Sequence, residues 1–111
     1  MNMINGWRRA AFAVGMALSA SNASAELVKA VVVYNKGCND RFVVRTTIGL
    51  TLIQSYSVRV PTEGSTLIGD FNTYGFVDFY DLNADQNGRG YVDDYMLSTD
   101  RMVEKLRDKC S

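Results

Sequence analysis

Oxygen-bearing side chains recur at alternating positions in one polar stretch of the chain, residues 81–94. Counted from Asn83, this stretch places Asn83, Asp85 and Asn87 two residues apart, followed by Gly88 and a late carboxylate at Asp94. Calcium prefers several oxygen ligands, and a glycine permits the sharp turn that wraps a loop around the ion. The pattern therefore predicts a weak calcium site formed by Asn83, Asp85, Asn87 and Asp94.

This stretch is similar to the calcium loops of EF-hands and dockerins, and the resemblance covers residues 81–94 only. The chain departs from those loops where Asn83 replaces the usual aspartate and Gly90 an aliphatic residue, and where Asp94 is shorter than the usual glutamate. No helical pattern precedes the loop. The pair Asn87-Gly88 is also a turn signal, so the competing interpretation is a hydrophilic hairpin loop without a metal.

Catalysis is disfavoured by the residue types that the chain contains. There is no histidine, which excludes Ser-His-Asp and Cys-His catalysis and a histidine-based zinc site. The carboxylate pairs Asp78/Asp81 and Asp93/Asp94 would formally permit acid–base chemistry on a sugar. Adjacent residues of a strand face opposite ways, however, and so small a chain has little room for a sugar cleft. We therefore expect a protein that is not an enzyme and has no cofactor.

Acidic residues and tyrosines in the C-terminal half form a candidate contact surface. Residues 63–97 carry seven acidic groups and one basic group, a balance that suits a cationic protein partner. The predicted partner-binding residues are Tyr74, Asp78, Asp81, Tyr91, Asp93 and Tyr95. The aromatic residues expected to fill the core of a small barrel are Tyr56, Phe71, Phe76 and Phe79.

The first 25 residues are typical of a secretion signal. Arg8 and Arg9 give a positive start, residues 10–18 form a short apolar run, and Ala23 and Ala25 are the small residues that signal peptidase reads. Removal of these 25 of the 111 residues leaves one domain of 86, residues 26–111, with ten basic and 12 acidic groups. Its near-neutral charge makes nucleic acid and anionic membranes poor partners. We predict a periplasmic or secreted protein that is not inserted in the membrane after cleavage.

Cys38 and Cys110 are the only cysteines in the sequence. An even count in an oxidising compartment favours one intramolecular disulfide, and closing so long a loop would stabilise the fold by about 4 kcal/mol. A metal pair or a redox pair is disfavoured because histidine is missing and the spacing is not C-x-x-C. We therefore predict a structural Cys38–Cys110 disulfide.

Apolar patterning predicts five or six short strands followed by one helix. Alternating or β-branched segments favour strands at residues 27–34, 41–46, 50–58, 66–71, 75–80 and 91–95, with a polar loop at 81–90. A helix over 98–110 is predicted by the N-cap residue Ser98 and by an apolar arc. That arc comprises Met102, Val103, Leu106 and Cys110.

These elements predict a mainly β domain, a small antiparallel barrel of OB-like or SH3-like type with the C-terminal helix packed on it. The alternative architecture is an open, strongly twisted sheet. We expect an exported monomeric domain that binds another protein. The alternative functions are a calcium-binding module at residues 81–94 and a structural protein of the cell envelope.

Overall fold

The computed structural model describes residues 26–57 and 59–111. The predicted signal, residues 1–25, lies outside the described residues, as does Val58, which the apolar pattern assigned to a strand. The strands are β1 Val28–Gly37, β2 Arg41–Thr46, β3 Gly49–Ser55, β4 Thr66–Gly69, β5 Gly75–Asp81 and β6 Gln86–Leu97. A 3-10 turn at Cys38–Asp40 joins β1 to β2, and helix α1, Thr99–Cys110, ends the chain.

The strands form a closed barrel in the order β1-β2-β3-β6-β5-β4, and every neighbouring pair is antiparallel. The first three strands follow one another, and the long connection after β3 then brings β4 back beside β1, which is a Greek key. The prediction of a mainly β antiparallel barrel with one C-terminal helix is therefore confirmed. Closure between β1 and β4 rules out the open sheet as the architecture adopted.

The apolar residues separate into two clusters. The interior of the barrel holds Ala30, Val32, Phe42, Val44, Ile53, Leu67, Phe71, Val77, Phe79 and Val92. A second cluster lies on the outer side, where Val43, Leu52 and Leu97 meet Met102 of α1. The helix thus covers apolar positions of β2, β3 and β6 that would otherwise face solvent.

The hairpin between β5 and β6 is tighter than the predicted polar loop. Asp81 Oδ1 accepts hydrogen bonds from the backbone N–H groups of Asn83 and Ala84, at 2.9 and 3.1 Å, and so fixes a short turn before Gln86. Residues 86–90 belong to β6, not to a loop. Their glycines make room for inward side chains, because a Cβ at Gly88 would lie 2.5 Å from the ring of Phe79.

Helix α1 begins as the sequence predicts. Ser98 caps it by accepting a hydrogen bond at 3.2 Å from the backbone N–H of Arg101, and Met102 is buried. Val103, which the apolar arc assigned to the packed side, is 42% exposed, and Cys110 is also exposed. Within residues 26–57 and 59–111, no helix has the length and apolar character needed to cross a membrane.

The predicted disulfide is confirmed. Cys38 and Cys110 are bonded at 2.08 Å, and their Cα atoms are 5.4 Å apart. The bond joins the first residue of the 3-10 turn between β1 and β2 to the last residue of α1. It therefore holds the helix across the outer side of the barrel.

Candidate functional site

The four predicted calcium ligands do not lie together. Asn83 Oδ1 accepts a hydrogen bond at 2.8 Å from the backbone N–H of Thr66, and Asp85 accepts one from the Tyr80 hydroxyl. Asn87 and Asp94 belong to the same strand, which separates them by roughly 20 Å at the usual rise per residue. Over the described ranges, 26–57 and 59–111, no group of three or more acidic or cysteine residues could hold a metal ion. Calcium binding stays a prediction that these contacts do not support.

Two of the predicted partner-binding aspartates, Asp81 and Asp93, expose little of their side chains and make contacts within the chain, and their contact with a partner stays a prediction. Asp81 is 7% exposed and serves the β5–β6 turn. The Asp93 side chain is 8% exposed and accepts a hydrogen bond at 2.9 Å from Nε of Arg41, itself 11% exposed. Sequence patterning missed this ion pair because Arg41 lies on β2 and reaches across β3 to β6.

The predicted residues Tyr74 and Tyr95 form an aromatic pair at the edge of the helix-covered region. Their ring centroids are 4.8 Å apart; Tyr74 is exposed, whereas Tyr95 is half-buried and packs against the barrel core. The Tyr74 hydroxyl donates a hydrogen bond at 3.2 Å to Asp94 Oδ1, and this bond raises the pKa of Tyr74 above its ordinary 10.0. Asp94 Oδ2 also lies 3.3 Å from Lys105 Nζ, which ties α1 to β6.

Three other aromatic side chains form an exposed cluster outside the barrel. Tyr56 is 56% exposed, Phe76 53% and Tyr91 37%. The ring centroid of Phe76 lies 5.2 Å from that of Tyr56 and 5.0 Å from that of Tyr91, both in edge-to-face geometry. Such pairs attract each other beyond their buried area, so the rings form one continuous apolar patch.

The prediction that Tyr56 and Phe76 fill the core is wrong, whereas Phe71 and Phe79 are buried as predicted. Val77 and Phe79 take the inward positions of β5, and therefore Phe76 points outward beside Tyr91, its partner in the β5–β6 register. The sequence contained a signal for this orientation. Asp78 is charged and lies two residues after Phe76, on the same side of the strand, so that side is expected to face solvent.

An ion pair extends the exposed cluster. Arg89 Cζ lies 4.9 Å from the Phe76 ring centroid, and Arg89 Nη1 is 3.1 Å from Asp78 Oδ1. Asp78 and Arg89 are opposite each other in the β5–β6 register. They lie two residues along the strands from the pair Phe76 and Tyr91, on the same side of the sheet. We call the surface made by Tyr56, Phe76, Asp78, Arg89 and Tyr91 the aromatic face.

A cleft with a volume of about 680 Å³ adjoins the aromatic face and shares Asp78 and Arg89 with it. Its walls carry a second arginine, Arg59, and a second aspartate, Asp81. The mixed charges do not favour one sign of ligand, so the cleft alone indicates no particular chemistry.

Comparisons with known proteins found no match among family models, curated proteins or solved structures.

Proposed function

We propose that this chain is an exported, non-enzymatic domain that binds another protein through the aromatic face. The observation that carries the proposal is the contact between the exposed rings of Tyr56, Phe76 and Tyr91. Apolar area left exposed in this way contributes free energy only when another surface covers it.

The composition of the aromatic face fits a protein partner. Binding energy at protein interfaces is concentrated in a few residues, among which Tyr and Arg are enriched, and Phe is also common at interfaces. The pairing of Arg89 with Asp78 leaves this surface nearly neutral, which argues against a phosphate backbone as the ligand. The edge-to-face packing of the rings makes a compact patch, whereas nucleic acid bases stack on open ring planes.

Two further observations support export and a role without catalysis. The disulfide favours an oxidising compartment, in agreement with the signal-like residues 1–25. The chain has no histidine, and Asp81 and Asp93 of the two carboxylate pairs are engaged in structural contacts. These observations favour a binding protein over a hydrolase.

The proposal is tested by site-specific photo-cross-linking in intact cells, with the full chain expressed behind its own leader. p-Benzoylphenylalanine is placed at position 91 on the aromatic face or, as a control, at position 34. Tyr34 is similarly exposed, at 39%, but it lies on β1, opposite β6 in the ring of strands. We expect a discrete protein adduct from position 91 and none of the same mass from position 34.

Affinity measurements with the cross-linked partner then complete the test. Phe76→Ser is expected to weaken binding about tenfold or more, because it removes the central ring of the cluster. Tyr34→Ser should leave the affinity unchanged, and the thermal stability of both variants is measured to show that they are folded. Equal adducts from the two positions, or unchanged binding by Phe76→Ser, would contradict the proposal.

A further inference from the structure

The surroundings of the disulfide differ for its two sulfurs. Cys110 is exposed at the end of α1, whereas Cys38 is half-buried. Nη1 of Arg41 lies 3.7 Å from Sγ of Cys38, and the backbone N–H of Cys38 lies 3.2 Å from Sγ of Cys110. Cys110 is therefore the more exposed of the two cysteines, with a backbone donor on its sulfur, whereas the sulfur of Cys38 lies beside a guanidinium group.

This asymmetry matters because disulfide exchange depends on both sulfurs. The attacking thiolate needs access to one sulfur, and exchange is faster when the departing sulfur is stabilised as a thiolate. Positive side chains stabilise thiolates. Arg41 is held in place by its bond to Asp93, so its guanidinium stays beside Cys38 when the bridge opens.

We propose that the Cys38–Cys110 bond is a thiol-exchange site at which Cys110 Sγ is attacked and Cys38 departs as a thiolate facing Arg41. A thiolate of an external dithiol bonds to Cys110 Sγ, and the Sγ–Sγ bond breaks with its electron pair on Cys38. The second thiolate of the dithiol then attacks the first sulfur of the dithiol in the mixed disulfide and releases Cys110. The dithiol is oxidised to a disulfide, and the two cysteines gain two electrons and two protons.

Lys109 introduces an opposing contact. Its carbonyl oxygen is 3.4 Å from Cys38 Sγ and would accept a hydrogen bond from a neutral thiol. Lys109 belongs to the last turn of α1, however, and opening of the bridge removes the covalent bond that holds this turn beside Cys38. The Arg41 guanidinium, although it is paired with Asp93, keeps Nη1 beside Cys38 Sγ and so favours the thiolate over the neutral thiol.

The barrel can survive opening of the bridge. Its interior cluster contains no residue of α1. The helix also keeps its own contacts near its start and middle, through buried Met102 and through the pair of Lys105 with Asp94. The bond can therefore be reduced and reformed while the domain stays folded.

The experiment treats the oxidised full chain, purified from an oxidising compartment, with glutathione at pH 7 under native conditions and traps free thiols with iodoacetamide. We expect peptide mapping to find glutathione on Cys110 and the alkyl group on Cys38. Glutathione mainly on Cys38 would overturn the proposal. So would a reduction rate equal to the rate of global unfolding, because exchange would then require the unfolded chain.

A matched pair of variants tests the role of Arg41. The double variant Arg41→Gln/Asp93→Asn removes both buried charges together, so that neither is left unpaired, and its folding is checked by its thermal unfolding. We expect dithiothreitol to reduce it about fivefold more slowly than the parent chain. The control Arg107→Gln removes a cation one helical turn from Cys110 and should leave the rate unchanged. A double variant that is reduced as fast as the parent chain would overturn the proposal.

Discussion

The outer sides of β3 and β6 carry two apolar regions, of which helix α1 covers one and leaves the other exposed. Towards the start of α1, Leu52 and Leu97 are covered by the helix, at 0% and 8% exposure. Further along the same strands, Tyr91 is exposed beside Phe76 and Tyr56. The two regions adjoin, because Arg41 near the disulfide and Tyr91 of the aromatic face share one cross-strand row through Gln54.

This difference separates apolar residues that the chain itself covers from apolar residues that stay exposed. The covered region buries its side chains within the chain and so contributes to the free energy of unfolding. The aromatic face contributes less, because its rings stay exposed to solvent. Substitutions should therefore affect stability in the first region and binding in the second.

The largest expected effect is that of Asp93→Ala in the covered region. The substitution leaves the Arg41 guanidinium buried without its partner, so we expect a loss of about 4 kcal/mol in the free energy of unfolding, measured with urea. Asp78→Ala breaks the exposed pair with Arg89 and should cost less than about 1 kcal/mol. Similar losses in the two variants would remove the distinction between the regions.

Met102→Ala tests the contribution of the helix. Met102 is 3% exposed, so its truncation creates a cavity between α1 and the strands and should cost about 2–3 kcal/mol. Val103→Ala changes the exposed neighbour and should cost less than about 0.5 kcal/mol. A cost below about 1 kcal/mol for Met102→Ala would mean that α1 contributes little to the fold.

Phe76→Ala should have a modest effect on stability. It removes two edge-to-face contacts on the surface, worth about 1 kcal/mol together, without opening the barrel interior. Differential scanning calorimetry would measure this as a shift of a few degrees in Tm. A loss as large as that of Asp93→Ala would indicate that the aromatic face is structural.

Asp94→Asn should change the titration of Tyr74 at the edge of the covered region. Asp94 raises the pKa of Tyr74, so its neutralisation should lower that pKa towards 10.0, as followed by ultraviolet absorbance of tyrosinate. Because the folded-state pKa is raised, the contribution of this contact to stability is fully present below pH 10 and is lost as the pH rises from there through the raised pKa of Tyr74. Lys105→Gln is the control, since it breaks the ion pair but retains the hydrogen bond to Tyr74.

The smallest expected effect is that of calcium. Because Asp94 lies far along β6 from Asn83 and Asp85, we expect millimolar calcium to leave Tm unchanged, and calorimetric titration to show no binding heat. A rise in Tm that is reversed by a chelator would contradict this expectation and would call for a different set of ligands.

Sequence patterns predicted most of the fold because strand positions, turns and helix caps are determined largely by neighbouring residues. The parity of Phe42 and Val44, the turn residues between strands and the Ser98 cap are properties of neighbouring residues. Gly88 and Gly90 led to the wrong prediction of a loop over residues 86–90. They belong to β6, where their small size accommodates Phe79 and Ile53 from other strands. The aromatic face and the Arg41–Asp93 pair also depend on strand order, which no local segment specifies.

Closure of the barrel limits how any partner can be recognised. Each of the six described strands has a neighbour on both sides, so none of them lies at the edge of an open sheet, although β4 covers only Val28–Val31 of β1 and Phe79–Asp81 of β5. A binding segment therefore has no whole strand edge along which to extend the sheet by main-chain pairing, a mode that tolerates many sequences. Under the proposed function, recognition would depend mainly on side chains, so single substitutions on the aromatic face would change specificity.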